Sequence, residues 1–99
     1  MDKAEVINKL KAYKILVKNH LEIDKMYLFG SYAKNTNTVD SDIDVAIIVD
    51  KADKDFFKVN PLLWKLRRQI DDRIEPFLIE KDFDDADFIG EVKRYGIEI

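Results

Sequence analysis

The sequence predicts a small α/β layer domain with its elements in the order α-β-β-α-β-α. Three observations predict it. Segments with apolar residues at three- and four-residue spacing alternate with short runs dense in β-branched and aromatic residues. Asn60-Pro61 and Gly96 punctuate that pattern as a helix start and a helix stop do. The 99 residues suffice for one core and leave little for a second module, so residues 1–99 are expected to form one domain.

Each element follows in turn. Val6, Leu10, Tyr13 and Val17 recur on one stripe, so residues 2–18 read as a helix, with Asp2 and Glu5 early and the lysines later to suit its dipole. "KMYLF" reads as a short strand ending at Gly30. The Asn- and Thr-rich residues 31–41 read as a loop with room for one helical turn after Ser31. "DIDVAIIV" is the second strand. After the charged connector "DKADKDFFK", Asn60 is expected to cap a helix whose first residue is Pro61 and whose buried stripe is Leu62, Leu63, Leu66 and Ile70. "IEPFLI" is the third strand, and Pro76 places it at a sheet edge or a strand end, because proline cannot donate to a ladder. A last helix is expected over about 84–95, with Gly96 capping it and Ile97 folding back on its last turn.

Composition excludes several classes. No apolar run approaches the ~20 residues that span a bilayer, and "MDKAEVINKL" lacks the apolar core of a signal peptide, so a cytoplasmic protein without membrane association is expected. The absence of cysteine rules out disulfides and thiolate zinc sites. A net charge of -3 argues against general nucleic-acid binding. Charge is uneven: residues 1–20 hold five lysines against two acids, and residues 80–91 hold six acids against Lys81. A solvated helix face and an acidic helix start explain both; a docking surface for a basic partner is the sharper reading.

The chemistry concentrates in "LFGSYAKNTNTVDSDIDVAIIVD". Asp42 and Asp44, two positions apart, share one face at the head of a strand. Two unit charges ~4 Å apart repel by about 4 kcal/mol at an effective dielectric of about 20, so they need water or a cation. Hard oxygen ligands of this kind suit Mg²⁺, which takes one or two carboxylates plus substrate phosphates. Gly30-Ser31 is the other half. Glycine lets a phosphate approach the backbone, the following amides point at it, and the serine hydroxyl adds a donor. This is not a Walker loop, because Asn35 follows Lys34. Each signal is weak alone. Gly-Ser, ten residues, then Asp-x-Asp heading an apolar strand is far more specific.

The run "GSYAKNTNTVDSDIDVAII" resembles the signature of the nucleotidyltransferase superfamily that includes DNA polymerase beta. In size the chain is most similar to the minimal nucleotidyltransferases, the antitoxin partners of HEPN-domain toxins. The resemblance runs from the N-terminal helix to the closing "EVKRYGIEI". It implies a small α+β nucleotidyltransferase fold, a short mixed sheet flanked by helices. It implies that Gly30 and Ser31 hold the β- and γ-phosphates and that Asp42 and Asp44 bind two Mg²⁺ ions. Relatives have a third carboxylate on a later strand, and Glu75 fits that place. Many relatives carry arginines in and just after the Gly-Ser turn; here Tyr32, Lys34 and Asn35 stand there, and Lys34 can replace a cationic phosphate contact as a point charge.

Other polar residues have simpler readings. Asp40 and Asp50 are expected to be solvated turn residues, and Ser41 a turn or strand-start residue. Lone His20 closes the first helix and suits a dipole contact. Asp71 and Asp72 are expected to be solvated at a helix end. Trp64 falls off the main stripe, so it either packs under the connector or anchors a partner.

The resemblance implies transfer of AMP from ATP to a hydroxyl, typically a tyrosine, on a partner HEPN toxin, with pyrophosphate released, and hence a hetero-oligomer. The adenine preference rests on the family alone. A non-catalytic antitoxin that neutralises its partner by binding is the alternative, weighed against by Ser31, Asp42 and Asp44, for which a pure binder has no use. A structural metal site is a third reading, weighed against by the openness of the ligand set.

Overall fold

The computed structural model describes residues 1–50, 56–82 and 87–99, with Phe56 and Phe57 described in backbone only. Helix α1 spans Lys3–Lys18, strand β1 Lys25–Phe29, helix α2 Ser31–Lys34, strand β2 Ile43–Val49, helix α3 Phe56–Leu66, strand β3 Ile74–Glu80, helix α4 Phe88–Tyr95 and strand β4 Ile97–Glu98. A 3₁₀ turn, Arg67–Gln69, links α3 to β3. The sheet order is β3-β2-β1-β4. β1 runs antiparallel to both β2 and β4, and β2 runs parallel to β3, so the sheet is mixed. Among the described residues no helix is long and apolar enough to cross a membrane.

The helix α1 forms as its spacing predicts. The Asp2 carboxylate accepts from the Glu5 N–H at 2.8 Å, satisfying one of the helix's free donors. Val6, Leu10, Tyr13 and Val17 are all fully buried against one face of the sheet. Tyr13 also donates its hydroxyl to the Leu63 carbonyl at 2.8 Å, tying α1 to α3, and burial pushes its pKa well up. The core on this face joins Met26, Leu28, Ile43, Val45, Ile47 and Ile74 with Leu63 and Leu66.

Two helix boundaries differ from expectation. α3 begins at Phe56, so Asn60 is not its cap and Pro61 lies inside it. Pro61 leaves the Phe57 carbonyl without its i+4 donor. Packing outweighs that lost bond: Val59, Leu62, Leu63 and Leu66 repeat at i, i+3, i+4 and i+7, and all four join the core. The stripe therefore starts at Val59, before the proline. Leu62 and Ile70 are only partly buried. α4 begins at Phe88, after Asp87 at φ 51°; residues 84–86 of the expected helix lie outside the described residues.

Beyond α4 there is one more strand. Gly96 does cap the helix, its N–H donating to Val92 O at 2.6 Å, but it does so in an extended conformation. Ile97 and Glu98 then pair with Leu28 and Tyr27, so Ile97 extends the sheet instead of folding back on the helix. A Cβ at Gly96 would collide with the Val92 carbonyl and stand 2.9 Å from that of Leu28, so only glycine fits between helix and strand.

The register explains Pro76. Ile43 N–H donates to Arg73 O, and Lys81 N–H donates to Val49 O. Odd-numbered β3 residues therefore face β2, and Pro76 turns its missing donor toward the open edge. Trp64 is half-buried, with the Arg67 guanidinium 4.5 Å over its ring, a cation–π platform neither expected reading included. The connector it was expected to pack under lies largely outside the described residues.

Asp71 is not a solvated helix-end residue. Its side chain is 13% exposed, pairs with Lys9 Nζ at 2.7 Å, and accepts from the Arg73 N–H at 2.8 Å. Burial pushes its carboxyl up, but the Lys9 ammonium and the Arg73 contacts outweigh that and hold it below the usual range. A lowered folded pKa contributes stability that is present above the unfolded value, about 3.9, and lost as pH falls through the folded one. Asp71→Asn is expected to cost about 1–2 kcal/mol at pH 7, with the gap in urea midpoint closing below about pH 4. An equal gap at both pH values would remove the ion pair as its cause.

Candidate active site

The strand register sets three residues side by side on the second face of the sheet: Phe29 opposite Asp44, and Asp44 opposite Glu75. One step along, the row is Tyr27, Ala46 and Phe77. This face carries a smaller core, Tyr27, Ala46, Ile48 and Val92, under α4. The rings of Phe77 and Phe88 stand edge-on to Phe29 at 5.3 and 5.2 Å. Helix α4 covers the β1 side, so the end of the face carrying Asp44 and Glu75 stays partly open.

Gly30 joins the Gly-Ser turn to this row. It is the residue before α2, at φ 74°, ψ -151°, a conformation that L side chains rarely adopt. A Cβ at this position would collide with Asp44 Oδ2. The glycine therefore serves both backbone conformation and close approach. α2 is a single turn, with Lys34 N–H donating to Gly30 O at 3.1 Å. The amides of Ser31, Tyr32 and Ala33 head the turn, where a helix has no internal acceptors for them. Tyr32 is buried in the main core and locks the turn to the sheet. Asn35, at φ 60°, ends it in the left-handed conformation that asparagine tolerates.

The acids form one electrostatic cluster. Burial, then the charge of Asp42, pushes the Asp44 carboxyl up, while a hydrogen bond from Glu75 opposes the rise. Glu75 is also raised, first by burial and then by Asp42 and Asp44 beside it. The shared hydrogen bonds raise Glu75 and lower Asp44, so the acids titrate as one cluster. Asp42 itself is exposed, one residue before β2.

The donor chemistry fits a hard cation. Three carboxylates supply only oxygen, their mutual repulsion is what a cation relieves, and the set is open on one side. Among the described residues no group of three or more His, Cys, Asp or Glu side chains is placed to hold a metal ion, so these acids would have to draw together around one.

The structure thus brings together Gly30, Ser31, Asp42, Asp44 and Glu75. Lys34 ends the α2 turn, exposed, with Nζ 5.9 Å from the Tyr95 ring centroid. Ser41 Oγ accepts from Thr38 N–H at 2.8 Å, and Asp40 is exposed beside it, both as turn residues. Asp50 lies past the opposite end of β2, 3.5 Å from Lys81. His20 is exposed in the turn after α1. Sequence reasoning missed Arg73, whose main-chain oxygen anchors Ile43 and whose guanidinium donates to Val39 O at 3.3 Å. It thereby pins the loop before Asp42 to the start of β3. It missed as well the ring of Tyr95 beside the Gly30 turn, for which the aromatic next to Gly96 was the one available sign.

Comparison with known proteins agrees with this geometry. The family described as "Polymerase beta, Nucleotidyltransferase" matches residues 8–98. A protein of Methanocaldococcus jannaschii named "Putative protein adenylyltransferase" is 31% identical over 99 residues, covering 96% of this chain and 99% of its own. The crystal structure of a protein from Sulfolobus solfataricus, titled "putative nucleotidyltransferase", superposes with a TM-score of 0.66 at 16% identity, over 97% of this chain and 80% of that one, and shares the fold. The family match spans the Gly-Ser turn, the Asp pair and Glu75 alike: the chain belongs to the polymerase beta nucleotidyltransferase family.

Proposed function

We propose that the protein transfers a nucleotidyl group, AMP from ATP, to a hydroxyl of a partner protein, releasing pyrophosphate. The single observation that supports this reading is the close approach of Gly30 to Asp44, which sets the Gly-Ser turn against the carboxylate cluster. The adenylyltransferase name of the 31% identical relative supports the choice of AMP and of a protein acceptor.

The roles follow from chemistry. The amides heading α2 and the Ser31 hydroxyl hold the β- and γ-phosphates, with Lys34 adding positive charge. Asp42, Asp44 and Glu75 hold Mg²⁺, two ions in the full reading, which when bound polarise the α-phosphate and lower the pKa of the acceptor hydroxyl. Positioning and charge neutralisation supply most of the catalysis in such transfers. The cluster stands partly open on the sheet face, and the acceptor brings its own binding surface. A HEPN-type toxin encoded beside this protein is the proposed partner, the pair forming a cytoplasmic hetero-oligomer in which this chain is the antitoxin.

Incubation with that neighbour, Mg²⁺ and ATP labelled at either the α- or the γ-phosphate tests the proposal. Label from the α-position is expected on the acceptor, and none from the γ-position. Glu75→Gln is expected to lose transfer by about 10²-fold or more while still binding nucleotide. Unchanged turnover in that variant would remove Glu75 from the site. Complete neutralisation of the toxin with no label transferred would leave binding alone as the mechanism.

A further inference from the structure

A cavity opens directly beside the Gly30-Ser31 turn. It has a volume of about 250 Å³ and is lined by Phe29, Gly30, Lys34, Phe88, Glu91 and Tyr95 among others. It lies below the ~300–1,000 Å³ typical of pockets that enclose a whole ligand, a size suited to one ring system with the rest of the molecule outside. Its wall is the inward stripe of α4. Phe88, Glu91, Val92 and Tyr95 fall at i, i+3, i+4 and i+7.

That stripe is unusual at one end. Val92 is buried on the sheet, as a core-facing residue should be, but Tyr95 on the same face is 55% exposed. Its ring stands at the cavity wall with Lys34 Nζ 5.9 Å from its centroid. Lys34 is three residues beyond Ser31, so the ring lies within a side chain's reach of the phosphate turn. Gly30 lines the cavity and abuts Asp44 as well. A molecule with its phosphates at the turn and the acids thus has an aromatic-walled recess one residue away. Glu91 supplies an acceptor and no donor.

We infer that this cavity takes the purine base of the nucleotide, stacked on Tyr95, with the Glu91 carboxylate accepting from an N–H on the base edge. The inference rests on the nucleotidyltransferase reading of the neighbouring acids. A purine offers the larger stacking face, and base–aromatic stacking suffices to hold a base. Adenine, which presents an exocyclic amino group, meets both requirements; the uracil edge offers one N–H, at N3, flanked by two carbonyls that repel the carboxylate.

Equilibrium binding of three probes in Mg²⁺ tests this: ATP, UTP and inorganic tripolyphosphate, each against the parent, Tyr95→Ala and Tyr95→Phe. The parent is expected to bind ATP more tightly than either UTP or tripolyphosphate. Tyr95→Ala is expected to lose about ten-fold or more in ATP affinity with tripolyphosphate affinity unchanged. Tyr95→Phe, which keeps the ring, is expected to bind ATP as the parent does. Undiminished ATP binding by Tyr95→Ala overturns the base assignment and leaves the acid site standing. Equal weakening of ATP and tripolyphosphate overturns it too, since the ring would then act only through Lys34. If neither ATP nor tripolyphosphate binds the parent, the nucleotidyltransferase reading fails and the base pocket falls with it.

Discussion

Asp44→Asn is expected to abolish nucleotidyl transfer and, in the absence of Mg²⁺, to make the protein more stable. The two effects share a cause. Asp44 is raised by burial and by Asp42, so ionising it costs more in the folded chain than in the unfolded one. With the folded pKa above the unfolded value, stability is highest at low pH and declines as pH rises through the folded pKa. At neutral pH the native carboxylate is therefore a standing cost, and an amide of the same shape removes it. Solvent reaches the side chain, so the gain is modest: about 1 kcal/mol, or roughly 4–8 °C in Tm for a domain of this size.

The activity loss is far larger. Metal-assisted charge stabilisation contributes several kcal/mol in reactions of this class, and each 1.36 kcal/mol is ten-fold in rate, so about 10³-fold or more is at stake. Mg²⁺ is expected to raise the Tm of the parent and to leave that of Asp44→Asn nearly unchanged. A variant that is less stable than the parent, or that keeps its transfer rate, contradicts this account of the cluster.

Gly30→Ala is expected to lose about 2–6 kcal/mol of stability, and transfer with it. Two separate penalties add. The positive-φ, extended-ψ conformation of Gly30 is essentially restricted to glycine and costs an L-residue roughly 1–3 kcal/mol, and forcing a methyl into occupied space costs about 1–3 kcal/mol more. The occupied space is the Asp44 carboxylate. This makes the two positions energetically coupled. In an Asp44→Ala background the steric part disappears, and Gly30→Ala should cost only the backbone part, about 1–3 kcal/mol. Urea unfolding of the four-protein cycle checks this. Strictly additive costs would mean that the Asp44 side chain does not pack on Gly30.

The site was more legible in the sequence than the scaffold around it. Gly30-Ser31 and Asp42-x-Asp44 stand within one short run, so strand alternation and turn chemistry alone could bring them out. β1 and the buried stripe of α1 were equally plain, because their apolar spacing is uninterrupted. β4 was not, since two residues are too few to show alternation. The start of α3 was hidden by Pro61, whose usual place at a helix start outranked the earlier Val59 in the reading. Long-range pairing is beyond periodicity altogether: nothing local connects Lys9 with Asp71, 62 positions away. The same holds for Tyr95, which meets the Gly30 turn only because α4 and β4 fold back along β1.

The most direct test of the central claim is a paired measurement on one reaction with ATP, Mg²⁺ and the proposed acceptor. Intact mass spectrometry reads the mass added to the acceptor, and a pyrophosphate assay reads the leaving group. The account predicts a gain of one or more AMP units, with one pyrophosphate released for each, and neither signal from Asp42→Asn. An acceptor of unchanged mass, or modification that Asp42→Asn performs as well as the parent, would contradict it.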